Sequence, residues 1–399
     1  MDKTIELYYE SAYLKEFDAK VLSCQRLEKD AHGADTFEIV LDRTAFFPEQ
    51  GGQSSDVGTI SMTDGSLANI SHVSIDKDGV ISHVADREIA AGRSVHGIID
   101  WKHRFSNMQQ HTGEHVFSGI VHSRYGYDNV GFHLSDSEVT MDYNGVLTYE
   151  DIRDIELLVN RAIWENVNVI CRFPDKEELA TIDYRSKKEL TGDVRIVTIE
   201  GYDDCACCAP HVEKTGEVGF LKVVSCQNYK GGVRVSILCG ERALMFLGGQ
   251  QEIVTKLSGM LTTSADKIIP SFEKLSKENA DLKAKLNSVN EELISFQIAG
   301  IDESKEDVFL IKDAGFDSGL MRKTVNALVE KHAGFCGVFA GSADDGYRFV
   351  IGSGRNQMDC KEFLEKLKEI CNVKGGGSSQ MVQGSLSACN ITEILEGYC

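Results

Sequence analysis

His111 and His115 stand four residues apart in a stretch where Met108, Phe117 and Ile120 recur at mostly helical spacing. Both imidazoles therefore leave one face of a helix about one turn apart and can share a metal ion. With eleven histidines in 399 residues, chance supplies about 0.3 such pairs, so the pair gains meaning only from a second half-site. Cys207-Cys208-Ala209-Pro210-His211 offers one, a thiolate and an imidazole four residues apart in a Pro-containing turn. His111, His115, Cys207 and His211 together make a zinc donor set, with Cys205 and Cys208 as alternative thiolates; the competing reading is a buried thiol cluster beside two surface histidines. Four protein ligands close a tetrahedral ion, whereas a catalytic zinc keeps a position open, so either one of the four stays unbound or the ion becomes five-coordinate. The chain has no H-E-x-x-H, which disfavours a metalloprotease, and Glu114 reads as an exposed helix carboxylate rather than a general base.

An α+β body must bring these segments together. Residues 1–100 alternate apolar and polar in short bursts (21–24, 36–41, 95–99), the pattern of an antiparallel, barrel-like β-subdomain. Within it, Thr44-Ala45-Phe46-Phe47-Pro48-Glu49-Gln50-Gly51-Gly52-Gln53 runs from strand into a sharp turn that lets a substrate approach the backbone closely. Residues 101–245 form the zinc-containing core: a helix from about 107, a strand at 139–143, a helix at 149–165 with Ile152, Ile155, Leu158 and Ala162 on one face, and strands at 167–171, 194–199 and 233–238.

Residues 246–300 read as a helical linker. Phe272, Leu275, Asn279, Leu282, Leu286, Val289, Leu293 and Phe296 alternate spacings of three and four, a heptad seam whose Asn279 would fix register, with Pro270 kinking or starting the helix. The seam either pairs with a second chain or folds back on Ile253, Leu257 and Leu261 as a helical hairpin. Residues 301–399 form a small α/β domain with strands at 308–311, 334–340 and 347–352 and helices at 320–331 and 360–370. Gly375-Gly376-Gly377 then reads as a loop, or as backbone that can approach a phosphate.

Apolar residues make up 42% of the chain and charged ones 26%, enough to bury several cores. Its 62 carboxylates against 42 cations give a net charge of −20, which argues against a broad grip on DNA or an anionic membrane and confines any nucleic-acid contact to a local strip. Twelve cysteines behind a start with no basic, apolar leader point to the cytoplasm, and no apolar run approaches the ~20 residues of a spanning helix.

Gln110-His111-Thr112-Gly113-Glu114-His115, the 207–211 turn continuing into Thr215-Gly216-Glu217-Val218-Gly219, and Phe47-Pro48-Glu49-Gln50-Gly51-Gly52-Gln53 together resemble the editing module of alanyl-tRNA synthetases. The likeness is nearest to the free-standing alanyl-tRNA editing proteins of the AlaX type and spans residues 1 to about 245. The helical linker and the Gly375-Gly376-Gly377 domain resemble the long form, and the start at the β-subdomain sets the expectation that the aminoacylation domain of a synthetase is missing. The resemblance implies an ATP-independent hydrolase that deacylates tRNA(Ala) mischarged chiefly with serine and secondarily with glycine, with zinc on His111, His115, Cys207 and His211. It implies Thr44, Gln53 and His133 as catalytic candidates, Thr44 sensing the serine hydroxyl, and Gly51, Gly52, Lys230 and Arg234 as substrate-binding residues, the two cations meeting the 3′-terminal phosphates. Serine exceeds alanine by a hydroxyl that an apolar pocket rejects poorly, so a second, hydrogen-bonding site is needed. A homodimer through residues 272–399 is expected. Cys205, Cys208 and Ala209-Pro210, where synthetases often carry Gly-Thr, depart from the pattern and leave the thiolate ligand open. Competing readings are a non-catalytic, tRNA-binding or dimerising accessory protein with a structural zinc, and a metal-dependent esterase of small molecules.

Overall fold

The computed structural model describes residues 2–29, 33–135, 138–186, 193–355 and 358–396. The chain divides into two compact units, Met1–Val254 and Thr255–Cys399.

In the first unit, period-two patterning such as the alternating burial of β1 (Glu16–Arg26) yields strands that are apolar on one face. With β2 (Phe37–Leu41), β3 (Gly58–Met62), β4 (Leu67–Ile75), β5 (Ile81–Ala85) and β6 (Ser94–Ile99), it closes into an antiparallel barrel in the order β1-β2-β5-β4-β3-β6. Phe17, Val21, Ile39, Leu41, Ile60 and Ile70 are among the side chains filling it.

Helix α1 (Trp101–Tyr125) follows at once. It starts before the apolar periodicity does because Asp100 caps it, its carboxylate accepting from the His103 N–H at 3.1 Å. Gly126, at φ 68°, ends it in the left-handed conformation. Strands β7 (Asn129–Leu134) and β8 (Val139–Tyr143) lead to α2 (Tyr149–Glu165), whose start is fixed by a Thr148/Asp151 capping box. Strands β9 (Val169–Arg172), β10 (Ile196–Ile199) and β11 (Asp203–Ala206) make a small antiparallel sheet. Strands β12 (Leu221–Tyr229) and β13 (Gly232–Cys239) complete a larger one in the order β12-β13-β8-β7. Lys230 and Gly231 join them at φ 46° and 84°, the two positive angles of a tight hairpin turn.

Helix α1 lies buried between barrel and sheet. Gly113 permits the approach, since a Cβ there would come within 2.4 Å of Cys239 Sγ. At the other end the fully buried Arg104 pairs with Asp56 and donates to the Ala12 carbonyl at 2.9 Å, tying the helix to the barrel. Helix α3 (Gly240–Leu261) follows β13.

In the second unit, α4 (Ile268–Ala299) opens with Pro270 in its first turn, where a missing N–H costs nothing. Ile294 and Ile298 pack with Leu320, Met321 and Val325 of α5 (Ser318–Lys331). The heptad seam remains in solvent, from Phe272 at 60% exposure to Phe296 at 77%, and Ile253 and Leu257, the stripe expected to cover it in a hairpin, are exposed as well. Strands β14 (Val308–Lys312), β15 (Phe335–Ser342) and β16 (Gly346–Ser353), helix α6 (Cys360–Ile370), and strands β17 (Val373–Gly377) and β18 (Met381–Leu386) build a sheet in the order β14-β15-β16-β18-β17. Gly375-Gly376-Gly377 is thus part of an edge strand rather than a loop. Pairing with β18 overrides low strand propensity, and a Cβ on Gly375 would press to 2.6 Å on the Gln383 carbonyl.

Candidate functional site

The i, i+4 spacing on α1 places the His111 and His115 rings 5.3 Å apart, and His211 closes on both at 4.9 and 4.6 Å. Cys207 Sγ lies 3.5 Å from His111 Nε2 and 3.4 Å from His211 Nε2. One donor atom from each of the four residues falls within 4.8 Å of the others, and all three histidines are 2% exposed. A tetrahedral zinc with Zn–N near 2.0 Å and Zn–S near 2.3 Å holds its N and S donors about 3.5 Å apart, so the donor set fits that ion.

The outward nitrogens are fixed as well. His111 Nδ1–H donates to Gln53 Oε1 at 2.7 Å and His115 Nδ1–H to Asp203 Oδ2 at 3.0 Å, while His211 Nδ1 and Thr112 Oγ1 share a hydrogen bond at 3.0 Å. The acceptor oxygens of Gln53 and Asp203 select the tautomer that turns a bare Nε2 inward, and the Thr112 hydroxyl can accept from His211 in the same tautomer. Of the three neighbouring thiols, only Cys207 is tuned toward thiolate. Burial would raise it, but the neighbouring His111, with His115 and His211 close by, holds it well below the ordinary thiol range. Burial pushes Cys205 up to about 11 and, reinforced by Cys207, Cys208 up to about 12. His115, Asp203 and Cys205 also converge, yet Arg185 donates to both Asp203 oxygens at 2.7 and 2.8 Å, and its fixed charge opposes a second cation.

Main-chain contacts hold the Cys207 turn. Arg195 Nη1 donates to the Cys207 and Ala209 carbonyls at 2.9 Å each, and the Ala209 N–H points at Cys207 Sγ at 3.4 Å. The Gly51-Gly52 turn sits beside it. Gln50 and Gln53 exchange both backbone hydrogen bonds at 3.2 Å, and Gly51 and Gly52 take φ 65° and 86°. A Cβ on Gly52 would reach 2.5 Å from the Phe132 carbonyl, and one on Gly51 would reach 3.2 Å from Cys208 Sγ. Gln53 is 1% exposed, and its Nε2 has no partner among the described residues.

The remaining expected site residues are placed differently. Thr44 is fully buried, its hydroxyl donating to His83 Nε2 at 2.9 Å and accepting the Phe46 N–H at 3.1 Å. That direction follows from His83 Nδ1, which faces the Ile39 carbonyl at 3.1 Å and so carries the proton. His133 is exposed, and strand alternation sets it opposite Phe132, whose ring lies 4.7 Å from His111; Phe132, not His133, faces the cluster. Arg234 is held by Asp142 at 2.6 and 2.8 Å and lies over the Tyr229 ring at 4.0 Å, so its charge is already matched; Lys230 is exposed in the hairpin turn. Glu114 is not an exposed carboxylate. It is fully buried, with Oε1 accepting from Ser118 and Asn129 at 2.6 Å each and Oε2 3.9 Å from His115 Nε2.

Sequence reasoning passed over Asp203, Arg185, Arg195 and Phe132. Thr112 lay inside the quoted H-T-G-E-H run, and Asp203 stood two residues before Cys205, the only local signals for either.

Comparison with known proteins agrees with this arrangement. The profile for class II (A) tRNA synthetases matches residues 1–103, and that for the second additional domain of threonyl and alanyl tRNA synthetases matches residues 194–236. The chain is 32% identical over 291 residues to the alanyl-tRNA editing protein AlaX-L of Pyrococcus horikoshii, covering 71% of this chain and 69% of that protein. It is 33% identical over 391 residues to the alanine–tRNA ligase of Ignicoccus hospitalis and 30% over 406 residues to that of Pyrococcus abyssi. These alignments cover 94% and 97% of this chain but 40% and 42% of the ligases, so the chain spans under half their length. Among the described residues no helix is long and apolar enough to cross a membrane.

Proposed function

Because the chain belongs to the family of alanyl-tRNA editing proteins of the AlaX type, we propose that it hydrolyses the ester of tRNA(Ala) mischarged with serine, and with glycine, in the cytoplasm. The observation that carries this reading is the convergence of three imidazole Nε2 atoms and the Cys207 thiolate beside the Gly51-Gly52 hairpin, whose Gln53 grips His111.

His111, His115, Cys207 and His211 would hold zinc, which when bound supplies a Lewis acid for the ester carbonyl or an anchor for the substrate amine. The chain's own residues do the positioning. Gln53 and Asp203 keep the Nδ1 protons of His111 and His115 outward, and Thr112 can accept that of His211, while Gly51 and Gly52 present backbone with no side chain in the way. Thr44 contributes to serine recognition through its remaining lone pair, since its proton is committed to His83. Lys230 offers a local cation for terminal phosphates on an otherwise acidic protein. The seam from Phe272 to Phe296 pairs two copies, and residues 301–399 serve tRNA binding or dimerisation.

The test is deacylation of Ser-, Gly- and Ala-tRNA(Ala) by zinc-loaded protein beside His111→Ala. Faster, zinc-dependent loss of the serine and glycine esters supports the reading; equal, zinc-independent decay of all three rejects it. The 2% exposure of the three histidines favours one rival, a tRNA-binding accessory protein with a structural ion. It predicts tRNA binding without any deacylation.

A further inference from the structure

Gln50 and Gln53 are directly opposed across the Gly51-Gly52 turn as a doubly hydrogen-bonded antiparallel pair. Residues so paired project their side chains from the same face of the ladder. The Gln53 amide is not free to rotate: its oxygen accepts the His111 proton at 2.7 Å, which leaves Nε2 as a buried donor with no partner among the described residues. Gln50 Oε1, on the same face, is a buried acceptor likewise without a partner. The two amides do not satisfy each other. A buried donor and a buried acceptor, both open and carried on one face of one turn, call for a ligand that carries the complementary pair.

We propose that Gln50 and Gln53 form an amide clamp for the aminoacyl group of the substrate, Gln50 Oε1 accepting from the α-ammonium and Gln53 Nε2 donating to the acyl carbonyl. An α-amino ester carries these two groups on adjacent carbons, which suits two side chains paired across one turn. Neither contact touches the amino-acid side chain, so the clamp recognises that an amino acid is esterified and leaves the choice between serine, glycine and alanine to other residues. The inference rests on the editing activity proposed above and adds Gln50 as a binding residue.

The test uses a non-hydrolysable probe, adenosine carrying serine in 3′-amide linkage, with its N-acetylated form as control. Binding is measured by calorimetry on zinc-loaded wild type, Gln50→Ala and the near-isosteric Gln50→Glu, with metal content confirming the fold of each. Gln50→Ala should weaken the free-amine probe by about 10- to 100-fold, the size of a lost hydrogen bond to a charged group. Gln50→Glu should bind it at least as well as wild type, and the N-acetyl probe should bind all three proteins alike. Equal affinity of wild type and Gln50→Ala for the amine probe, or equal weakening for both probes, overturns the clamp while leaving the editing activity standing. Failure of wild type to bind either probe overturns both.

Discussion

The Thr44 hydroxyl stands 2.9 Å from Nε2 of His83, with both side chains fully enclosed by the barrel. A residue expected only to sense substrate therefore also has an internal polar partner. Thr44→Val leaves His83 Nε2 and the Phe46 N–H unpaired, and it should lower stability by about 2 kcal/mol in urea denaturation, while Thr44→Ser keeps the hydroxyl and loses less. A role in recognition must then be read from the ratio of serine to glycine ester hydrolysis rather than from total activity. An unchanged ratio in folded Thr44→Val would remove Thr44 from recognition.

The same histidine makes stability depend on pH. Burial holds the His83 imidazole down to about 4 from its ordinary 6.5. On acidification the unfolded chain takes up that proton first, so this contribution is complete above about pH 6.5 and fades as pH falls toward about 4, roughly 3 kcal/mol in all. His83→Gln, which can still accept from Thr44, should show a shallower acid slope. Equal slopes from about pH 7 to about pH 4.5 would refute the assignment.

Asp203 orients His115 without being one of its Nε2-facing donors. Asp203→Asn keeps the size of the side chain but weakens its hold on the Nδ1 proton, and zinc affinity in chelator competition should fall by about 10- to 100-fold. Unaltered affinity would show that His115 is held by packing alone.

The Arg104–Asp56 pair is 0% exposed on both sides. Replacing one partner, as in Arg104→Met, strands a buried charge and should destabilise the first unit by about 3–5 kcal/mol. Arg104→Met combined with Asp56→Asn should recover part of the loss. Additive losses would mean the two groups do not act as a pair.

The exposed seam of α4 predicts self-association. Sedimentation of wild type should give twice the chain mass, and Leu282→Lys with Leu286→Lys should give one chain, since a cation at a seam position opposes pairing. A wild-type monomer at micromolar concentration removes the dimer.

Local pattern and long-range contact differ sharply in how far they could be read. The two ligand pairs are visible because each is a four-residue spacing within one local segment, and α2 because Ile152, Ile155, Leu158 and Ala162 make one apolar face. The partners that set the histidine tautomers were not visible, because Gln53 lies 58 residues from His111 and Asp203 lies 88 from His115, and only folding makes them neighbours. His133 is expected at the site from the resemblance alone, whereas adjacent strand residues face opposite ways and a motif does not say which faces inward. Glu114 looked solvated because charge usually is; its partners Ser118 and Asn129 become apparent only once α1 is enclosed.

Cys207 packs at the margin of both hydrophobic clusters of the first unit, the one inside the barrel and the one beneath the sheet. An ion gripping that sulfur acts as a rivet through two plates. Filling the site should slow amide hydrogen exchange in barrel strands and in α1 together, so that the two halves open as one where they would otherwise fluctuate separately.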